Sequence, residues 1–138
     1  MQAQTTVSKP RPERVCLVVE DNKFDQTRIS RAMSHGCRDI SLVFTDTLAK
    51  ARAKIDENPF VMILLDNNLP DGMGADFAVE LSKHPTHSKT PVVMVSDWPS
   101  PFMWAKATKA GVHYIVSKDD FHSGYVQSAL KKSRQRVH

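Results

Sequence analysis

Five short apolar runs alternate along this 138-residue chain with segments of helical periodicity. The runs are of strand length and cover residues 15–19, 41–44, 60–65, 91–95 and 113–117. The segments between them place apolar side chains three or four residues apart, as amphipathic helices do. Strands that alternate with helices in this way indicate a parallel sheet with helices packed on both of its faces.

The helical segments begin and end at residues that commonly flank helices. They cover residues 25–34 and 47–57, a segment around Phe77, residues 101–110 and a segment after Asp120. The fourth is the clearest, because Ser100 can cap it, Pro101 suits its first position and Gly111 suits the position after its end. The chain therefore contains five helices between and after five strands.

At this length the common arrangement of such elements is a flavodoxin-like, doubly wound α/β fold. We predict a five-stranded parallel sheet with strand order 2-1-3-4-5. This order brings the carboxyl ends of strands 1, 3, 4 and 5 side by side, and ligands bind where the order reverses between strands 1 and 3. The residues that follow those four strands are therefore the candidates for a functional site.

Acidic, hydroxyl and ammonium groups follow these four strands. Glu20 and Asp21 follow strand 1, Asp66 follows strand 3, Ser96 follows strand 4 and Lys118 ends strand 5. Each residue taken alone could be an ordinary solvated loop residue. Three carboxylates in one pocket need cations, however, and one Mg²⁺ together with Lys118 would bring their formal charge to zero.

The combination of groups fits phosphoryl transfer to a carboxylate. Asp66 is placed to attack phosphorus as a nucleophile and form an aspartyl phosphate. A metal ion and Lys118 would neutralise the phosphoryl oxygens, and the Ser96 hydroxyl would donate a hydrogen bond to one of them.

The net charge of +4 lies at the two ends of the chain. Residues 1–14 carry +2 and residues 131–138 carry +4, which leaves −2 on residues 15–130. Phosphate binding needs clustered positive charge on an ordered surface, so we do not expect direct nucleic-acid binding. We predict a disordered leader over residues 1–13, one domain over residues 14–134 and a basic tail over residues 135–138.

Apolar content and cysteine usage indicate the compartment. The longest apolar run has six residues, far short of the roughly 18 needed to cross a bilayer, and the N-terminus has no signal-type apolar segment. Cys16 and Cys37 have neither disulfide-framework nor metal-site spacing. We therefore expect a cytoplasmic protein without membrane insertion, in which both cysteines are structural.

Residues 13–134 resemble the receiver domain of bacterial response regulators, in particular a single-domain, chemotaxis-regulator-like member. The motifs that carry this resemblance are "CLVVEDNKFDQTRI", "ILLDNNLPDGMGADF", "PVVMVS" and "AGVHYIVSK". The intervals of 30 residues from Asp66 to Ser96 and 22 from Ser96 to Lys118 match the family as well.

The resemblance implies that Asp66 is phosphorylated by a sensor histidine kinase or a phosphotransfer protein. It also implies that Glu20, Asp21, Asp66 and the backbone carbonyl of Asn68 bind Mg²⁺. Lys118 would contact the phosphoryl group, and Ser96 would move toward it as the switch. Such a domain is not an enzyme in the ordinary sense, since it catalyses only its own phosphorylation and dephosphorylation.

Three positions depart from the family pattern. Ile115 occupies the usual place of an aromatic residue, and Tyr114 one position earlier should point to the opposite face of the strand. Asp119 stands where a proline usually follows the lysine. Asp97 replaces a small residue after the switch hydroxyl, and its charge would repel an incoming phosphodianion if it faced the pocket. Otherwise Asp97 would point outward or cap the turn that follows it.

Other functions remain open. A pseudo-receiver would bind partners without control by phosphorylation, and Asp97 and Ile115 lie near the switch. A small phosphohydrolase with an aspartyl nucleophile generally has a second acid two residues further on, where this chain has Asn68. A flavodoxin-type carrier needs a phosphate-binding loop after strand 1, where Glu20 and Asp21 would repel phosphate.

We expect the signal to pass to a downstream protein through the face between Ser96 and Lys118. The sequence "WPSPFMW" places several large apolar side chains near Ser96. About half of a helix faces inward, so some of these side chains belong to the core. Trp98 and Trp104 are the candidates for an exposed partner patch.

Overall fold

The central element of the computed structural model is a five-stranded parallel sheet. The strands are β1 Arg14–Val19, β2 Ile40–Thr45, β3 Met62–Leu65, β4 Val92–Val95 and β5 Tyr114–Val116. They are ordered β2-β1-β3-β4-β5, and every neighbouring pair is parallel. The predicted flavodoxin-like order 2-1-3-4-5 is therefore confirmed.

The structure describes residues 14–97 and 99–136. The predicted disordered leader, Trp98 and the last two residues of the predicted basic tail lie outside the described residues. The last helix continues through Arg136, beyond the predicted domain end at residue 134.

Within the described residues five helices connect or follow the strands, as predicted. They are α1 Lys23–Gly36, α2 Leu48–Glu57, α3 Gly74–Ser82, α4 Pro101–Lys109 and α5 Ser123–Arg136. The Ser100 hydroxyl accepts the N–H of Met103 and so caps α4 as the sequence indicated. Asp71 caps α2 although it lies outside that helix, because its carboxylate accepts the N–H groups of Leu48 and Ala49.

Two apolar layers enclose the sheet. On one face α2, α3 and α4 pack against alternate strand residues, which include Leu17 and Leu65. On the other face α1 and α5 pack against the remaining strand residues, which include Val18 and Leu64. Strand β3 is buried on both faces, which explains why its sequence is apolar without alternation. A polar group directly after β3 is consequently placed at the edge of the core.

A small antiparallel hairpin follows β3 and was not predicted. Asn68–Leu69 pairs with Gly72–Met73, and the chain then enters α3 at Gly74. A side chain at Gly74 would place its Cβ 2.0 Å from the carbonyl oxygen of Asp66. The start of α3 thus lies directly against the backbone of Asp66.

Within residues 14–97 and 99–136, none of the helices has the length and apolar content required to cross a bilayer. Cys16 and Cys37 are buried free thiols. The desolvation that comes with burial raises the pKa of both thiols. Their burial supports the interpretation that they are structural.

Candidate functional site

Asp66 lies at the carboxyl end of β3 with only 5% of its surface exposed. Its backbone N–H donates to the carbonyl oxygen of Val19, which fixes it beside the end of β1. Its Oδ1 accepts the N–H of Asn67 at 2.7 Å. Burial raises the pKa of Asp66 above its ordinary value, although the charge of Lys118 and the backbone N–H groups oppose this shift.

Glu20 and Asp21 follow β1 and face Asp66. One carboxylate oxygen from each of Glu20, Asp21 and Asp66 lies within 4.8 Å of the other two. Glu20 is buried and Asp21 is exposed. Burial raises the pKa of Glu20 to about 7, even though Glu20 accepts the N–H of Asn22 at 3.0 Å. The three carboxylates therefore form a half-buried acidic cluster at the end of the sheet.

Lys118 brings its ammonium group to this cluster from the end of β5. Its Nζ lies 3.4 Å from Asp66 Oδ2, 3.2 Å from Glu20 Oε1 and 2.7 Å from Asp25 Oδ2. Burial disfavours the charged ammonium, but the three nearby carboxylates stabilise it more strongly. The pKa of Lys118 is therefore raised. Lys118 is thus a fixed positive charge beside Asp66.

Ser96 directly follows β4 and is almost fully buried. Its N–H donates to the carbonyl oxygen of Val116 on β5 at 2.9 Å. Its hydroxyl lies 3.4 Å from the backbone oxygen of Asp97, a long contact that leaves the hydroxyl easy to redirect. The structure therefore places Ser96 between the ends of β3 and β5, at the same edge of the sheet as the acids and Lys118.

The departures from the family pattern have defined places in the structure. Tyr114 packs against Tyr125 on the side of α5, with ring centroids 5.4 Å apart, whereas Ile115 packs on the opposite face. Opposite faces for Tyr114 and Ile115 are thus confirmed. Asp97 accepts the backbone N–H of Lys118 at 3.0 Å, a contact that neither predicted role of Asp97 included.

Two residues of α1 belong to the site although they were not predicted there. Asp25 makes the shortest contact of Lys118. Arg28 donates to the backbone oxygen of Lys118 at 2.8 Å and to Asp119 at 2.7 Å. The sequence signal for Asp25 is its position, because it lies four residues after Asp21 and in the first turn of α1.

The acidic cluster suits a hard divalent cation. Its donors are carboxylate oxygens, which Mg²⁺ and Mn²⁺ both accept. Two of the three acids are buried, and Lys118 supplies a single positive charge to balance them. The donor set of Glu20, Asp21 and Asp66 therefore fits such an ion. Asn68 follows closely, with its N–H 3.5 Å from Asp66 Oδ1, and a role for its carbonyl remains a prediction.

The sequence matches the response regulator receiver domain over residues 16–129. This match covers most of the chain, so the chain belongs to the receiver-domain family. Receiver domains are signalling domains of phosphorelay systems and are generally not enzymes. As a family they take phosphoryl groups from histidine kinases or phosphotransfer proteins and bind Mg²⁺ or Mn²⁺ at an acidic pocket.

Solved structures with the same fold are similar to the chain at low sequence identity. The Mn²⁺-bound response regulator Rcp1 is 22% identical with a TM-score of 0.69, covering 88% of this chain and 90% of that one. The phosphorylated cyanobacterial phytochrome response regulator RcpA is 23% identical with a TM-score of 0.70, covering 88% and 91%. A receiver domain protein from Methanospirillum hungatei has a TM-score of 0.77 at 18% identity, covering 91% of this chain and 99% of that one. No curated protein sequence matches the chain.

Proposed function

We propose that Asp66 accepts a phosphoryl group from a sensor histidine kinase or a phosphotransfer protein, in a Mg²⁺-dependent reaction that switches partner binding. The observation that carries this proposal is the position of Asp66. It lies buried at the end of the central strand, near two further carboxylates and 3.4 Å from the Lys118 ammonium. The free thiols of Cys16 and Cys37 suit a reducing compartment, so we propose that the transfer takes place in the cytoplasm.

The proposed transfer requires Asp66 as an ionised nucleophile. A carboxylate oxygen of Asp66 forms a bond to phosphorus while the bond from phosphorus to the donor nitrogen breaks, and the departing imidazole takes up a proton. Burial raises the pKa of Asp66 and so disfavours the ionised form, whereas the positive charge of Lys118 favours it. The same positive charge would also attract the phosphoryl oxygens.

Mg²⁺ is the ion that we propose for the acidic cluster. Glu20, Asp21, Asp66 and the carbonyl of Asn68 would hold it. When bound, the ion would supply positive charge against the carboxylates and the phosphoryl oxygens. The raised pKa of Glu20, about 7, implies that ion binding should favour the ionised form of this residue.

Ser96 and Lys118 are the residues proposed to read the phosphorylated state. Among the residues that the structure describes, the buried Ser96 hydroxyl makes one long contact, so a new acceptor could redirect it. The adjacent helix α4 exposes Phe102 and Trp104, with exposed fractions of 72% and 49%. These side chains support a downstream protein partner on the face between Ser96 and Lys118.

Phosphorylation by a small donor tests this proposal. Wild type and Asp66→Asn would be incubated with phosphoramidate in Mg²⁺ or in a chelator, and the phosphoprotein fraction read by intact mass. We expect phosphoprotein only in the wild type with Mg²⁺. Asp76→Asn is the matched control, because it removes an exposed carboxylate from α3 that pairs with Lys106.

Each alternative makes a different forecast in the same experiment. A pseudo-receiver would remain unmodified under every condition. A phosphohydrolase would release phosphate through many turnovers from a range of phosphate esters, with little phosphoprotein present at any time. Modification of Asp66→Asn to the wild-type extent would contradict the assignment of Asp66.

A further inference from the structure

The ammonium group of Lys118 hydrogen-bonds to Asp25 and Asp66 and forms an ion pair with Glu20. An ammonium has three donors, and three carboxylates surround it. The contact with Asp25 is the shortest, at 2.7 Å, whereas those with Glu20 and Asp66 measure 3.2 and 3.4 Å. Lys118 is therefore held more closely by the first turn of α1 than by the proposed phosphoacceptor.

Asp25 is itself held in place. Its Oδ2 contacts Lys118 while its Oδ1 lies 3.5 Å from Arg28 Nη1. Arg28 also donates to the backbone oxygen of Lys118, so one arginine joins Asp25 and Lys118 from a second side. The side chains of Asp25 and Lys118 are only 13% and 16% exposed, which limits screening of this pair by water.

We propose that Asp25 is a positioning residue that holds the Lys118 ammonium toward α1 and competes with an incoming phosphoryl group for it. The predicted effect of Asp25 on phosphorylation rests on the proposed function. The restraint of Lys118 by Asp25 does not. Asp25 lies outside the cluster of Glu20, Asp21 and Asp66, so its role is distinct from metal binding.

The competition follows from the number of donors on the ammonium. A phosphoryl oxygen near Asp66 would be a fourth acceptor around an ammonium with three donors, so at least one of the three existing contacts must lengthen or be shared. The contact with Asp66 is the longest and the easiest to release, but the short contact with Asp25 still restrains how far Nζ can move. The charge of Asp25 also opposes the approach of an anionic donor. Both effects make unphosphorylated Asp66 less reactive.

Asp25→Asn tests the inference because it keeps the shape of the side chain and removes its charge. We expect phosphorylation by phosphoramidate on the order of tenfold faster than in the wild type, the factor that corresponds to about 1.4 kcal/mol. Asp25→Ala should change the rate in the same direction. Asp76→Asn is the control, because it removes an equal charge from an ion pair of 2.6 Å with Lys106 outside the site. Its rate should stay at the wild-type value.

Exchange of the Lys118 ammonium protons with water gives a second measurement that does not depend on phosphorylation. It can be followed by ¹⁵N NMR, with the signal assigned by its loss in Lys118→Arg. We expect faster exchange in Asp25→Asn and no change in Asp76→Asn.

Unchanged exchange in Asp25→Asn would overturn the inference even if Asp66 takes up phosphate. An equal or slower phosphorylation rate in Asp25→Asn would overturn the competition. If the wild type takes up no phosphoryl group, both the proposed function and the competition for Lys118 are overturned. The exchange measurement alone then decides whether Asp25 restrains Lys118.

Discussion

The carboxylate of Asp97 accepts the backbone N–H of Lys118 at 3.0 Å and so joins the carboxyl ends of β4 and β5. Arg28 binds the carbonyl oxygen of the same residue at 2.8 Å. The backbone of Lys118 is thus held on both sides by charged side chains from two other elements. Asp97 and Arg28 fix the point from which the lysine side chain reaches Asp66.

This contact gives a prediction that separates the hydrogen bond of Asp97 from its charge. Asp97→Asn keeps an oxygen that can accept the N–H of Lys118, so stability and phosphorylation rate should stay close to wild type. Asp97→Ala removes the acceptor and should lower the free energy of unfolding by about 1 kcal/mol. Urea unfolding and phosphoramidate labelling would measure the two effects.

Charge repulsion by Asp97 would give a different pattern. Both variants would then be phosphorylated faster than wild type at low salt, and the gain would shrink as salt is raised. Faster labelling of Asp97→Asn at low salt would show that the charge faces the phosphoryl group and that the hydrogen bond to Lys118 is secondary.

Gly74 gives a prediction about the backbone of Asp66. Gly74→Ala would place a methyl group 2.0 Å from the carbonyl oxygen of Asp66, so the backbone must shift. We expect a loss of roughly 1–3 kcal/mol in the free energy of unfolding and slower labelling of Asp66. The control is Gly124→Ala, whose methyl group meets only the side chain of His122. Labelling of Gly74→Ala at the wild-type rate would show that the site tolerates this shift.

The sequence predicted most of the fold because its apolar runs are long enough to be recognised. Strand β3 stood out as a run without alternation, and α4 was delimited by Ser100 and Gly111. The hairpin at Asn68–Leu69 was missed because strands of two residues have no periodicity to detect. Strand β3 was predicted to begin at Phe60, yet it starts at Met62, since apolar residues can be buried without joining the sheet.

The site was predictable where strand order alone brings residues together. Glu20, Asp66 and Lys118 meet because their strands end at the same edge of the sheet, and the order 2-1-3-4-5 requires this. The contacts of Asp25 and Asp97 with Lys118 were missed, because they depend on how far one side chain reaches toward another element. Sequence spacing does not determine those directions.

His87 gives a prediction about pH. Burial lowers the pKa of His87, and the nearby His84 adds to this shift. Its neutral Nε2 faces the N–H of Phe60 at 3.3 Å, and protonation would remove that acceptor. The unfolded chain therefore binds this proton more readily, so the free energy of unfolding should fall as the pH is lowered through about 6.5 toward the lower folded-state pKa.

Urea unfolding on both sides of about pH 6.5 measures this dependence. His87→Gln should make the free energy of unfolding less dependent on pH, whatever its effect at neutral pH. His35→Gln, which replaces an exposed histidine in the same way, serves as the control. An unchanged slope in His87→Gln would assign the pH dependence to other groups.

Metal affinity gives a prediction about the acidic cluster. Asp21→Ala removes an exposed carboxylate that we propose as a ligand, and it should weaken Mg²⁺ binding severalfold, as read by calorimetric titration. The effect of Glu20→Ala should be milder if Glu20 acts through a water molecule. Equal Mg²⁺ affinity in Asp21→Ala and wild type would mean that the ion binds elsewhere.

The central claim is that Asp66 itself carries the phosphoryl group. An acyl phosphate on aspartate is reduced by borohydride to homoserine, so treatment of the labelled protein followed by peptide mass spectrometry identifies the modified residue. We predict homoserine at position 66 after labelling in Mg²⁺, and unmodified Asp66 when the donor or the metal is omitted. Homoserine at position 21 or 25, the longer alcohol 2-amino-5-hydroxypentanoic acid at position 20, or no reduced residue anywhere in a labelled protein, would contradict it.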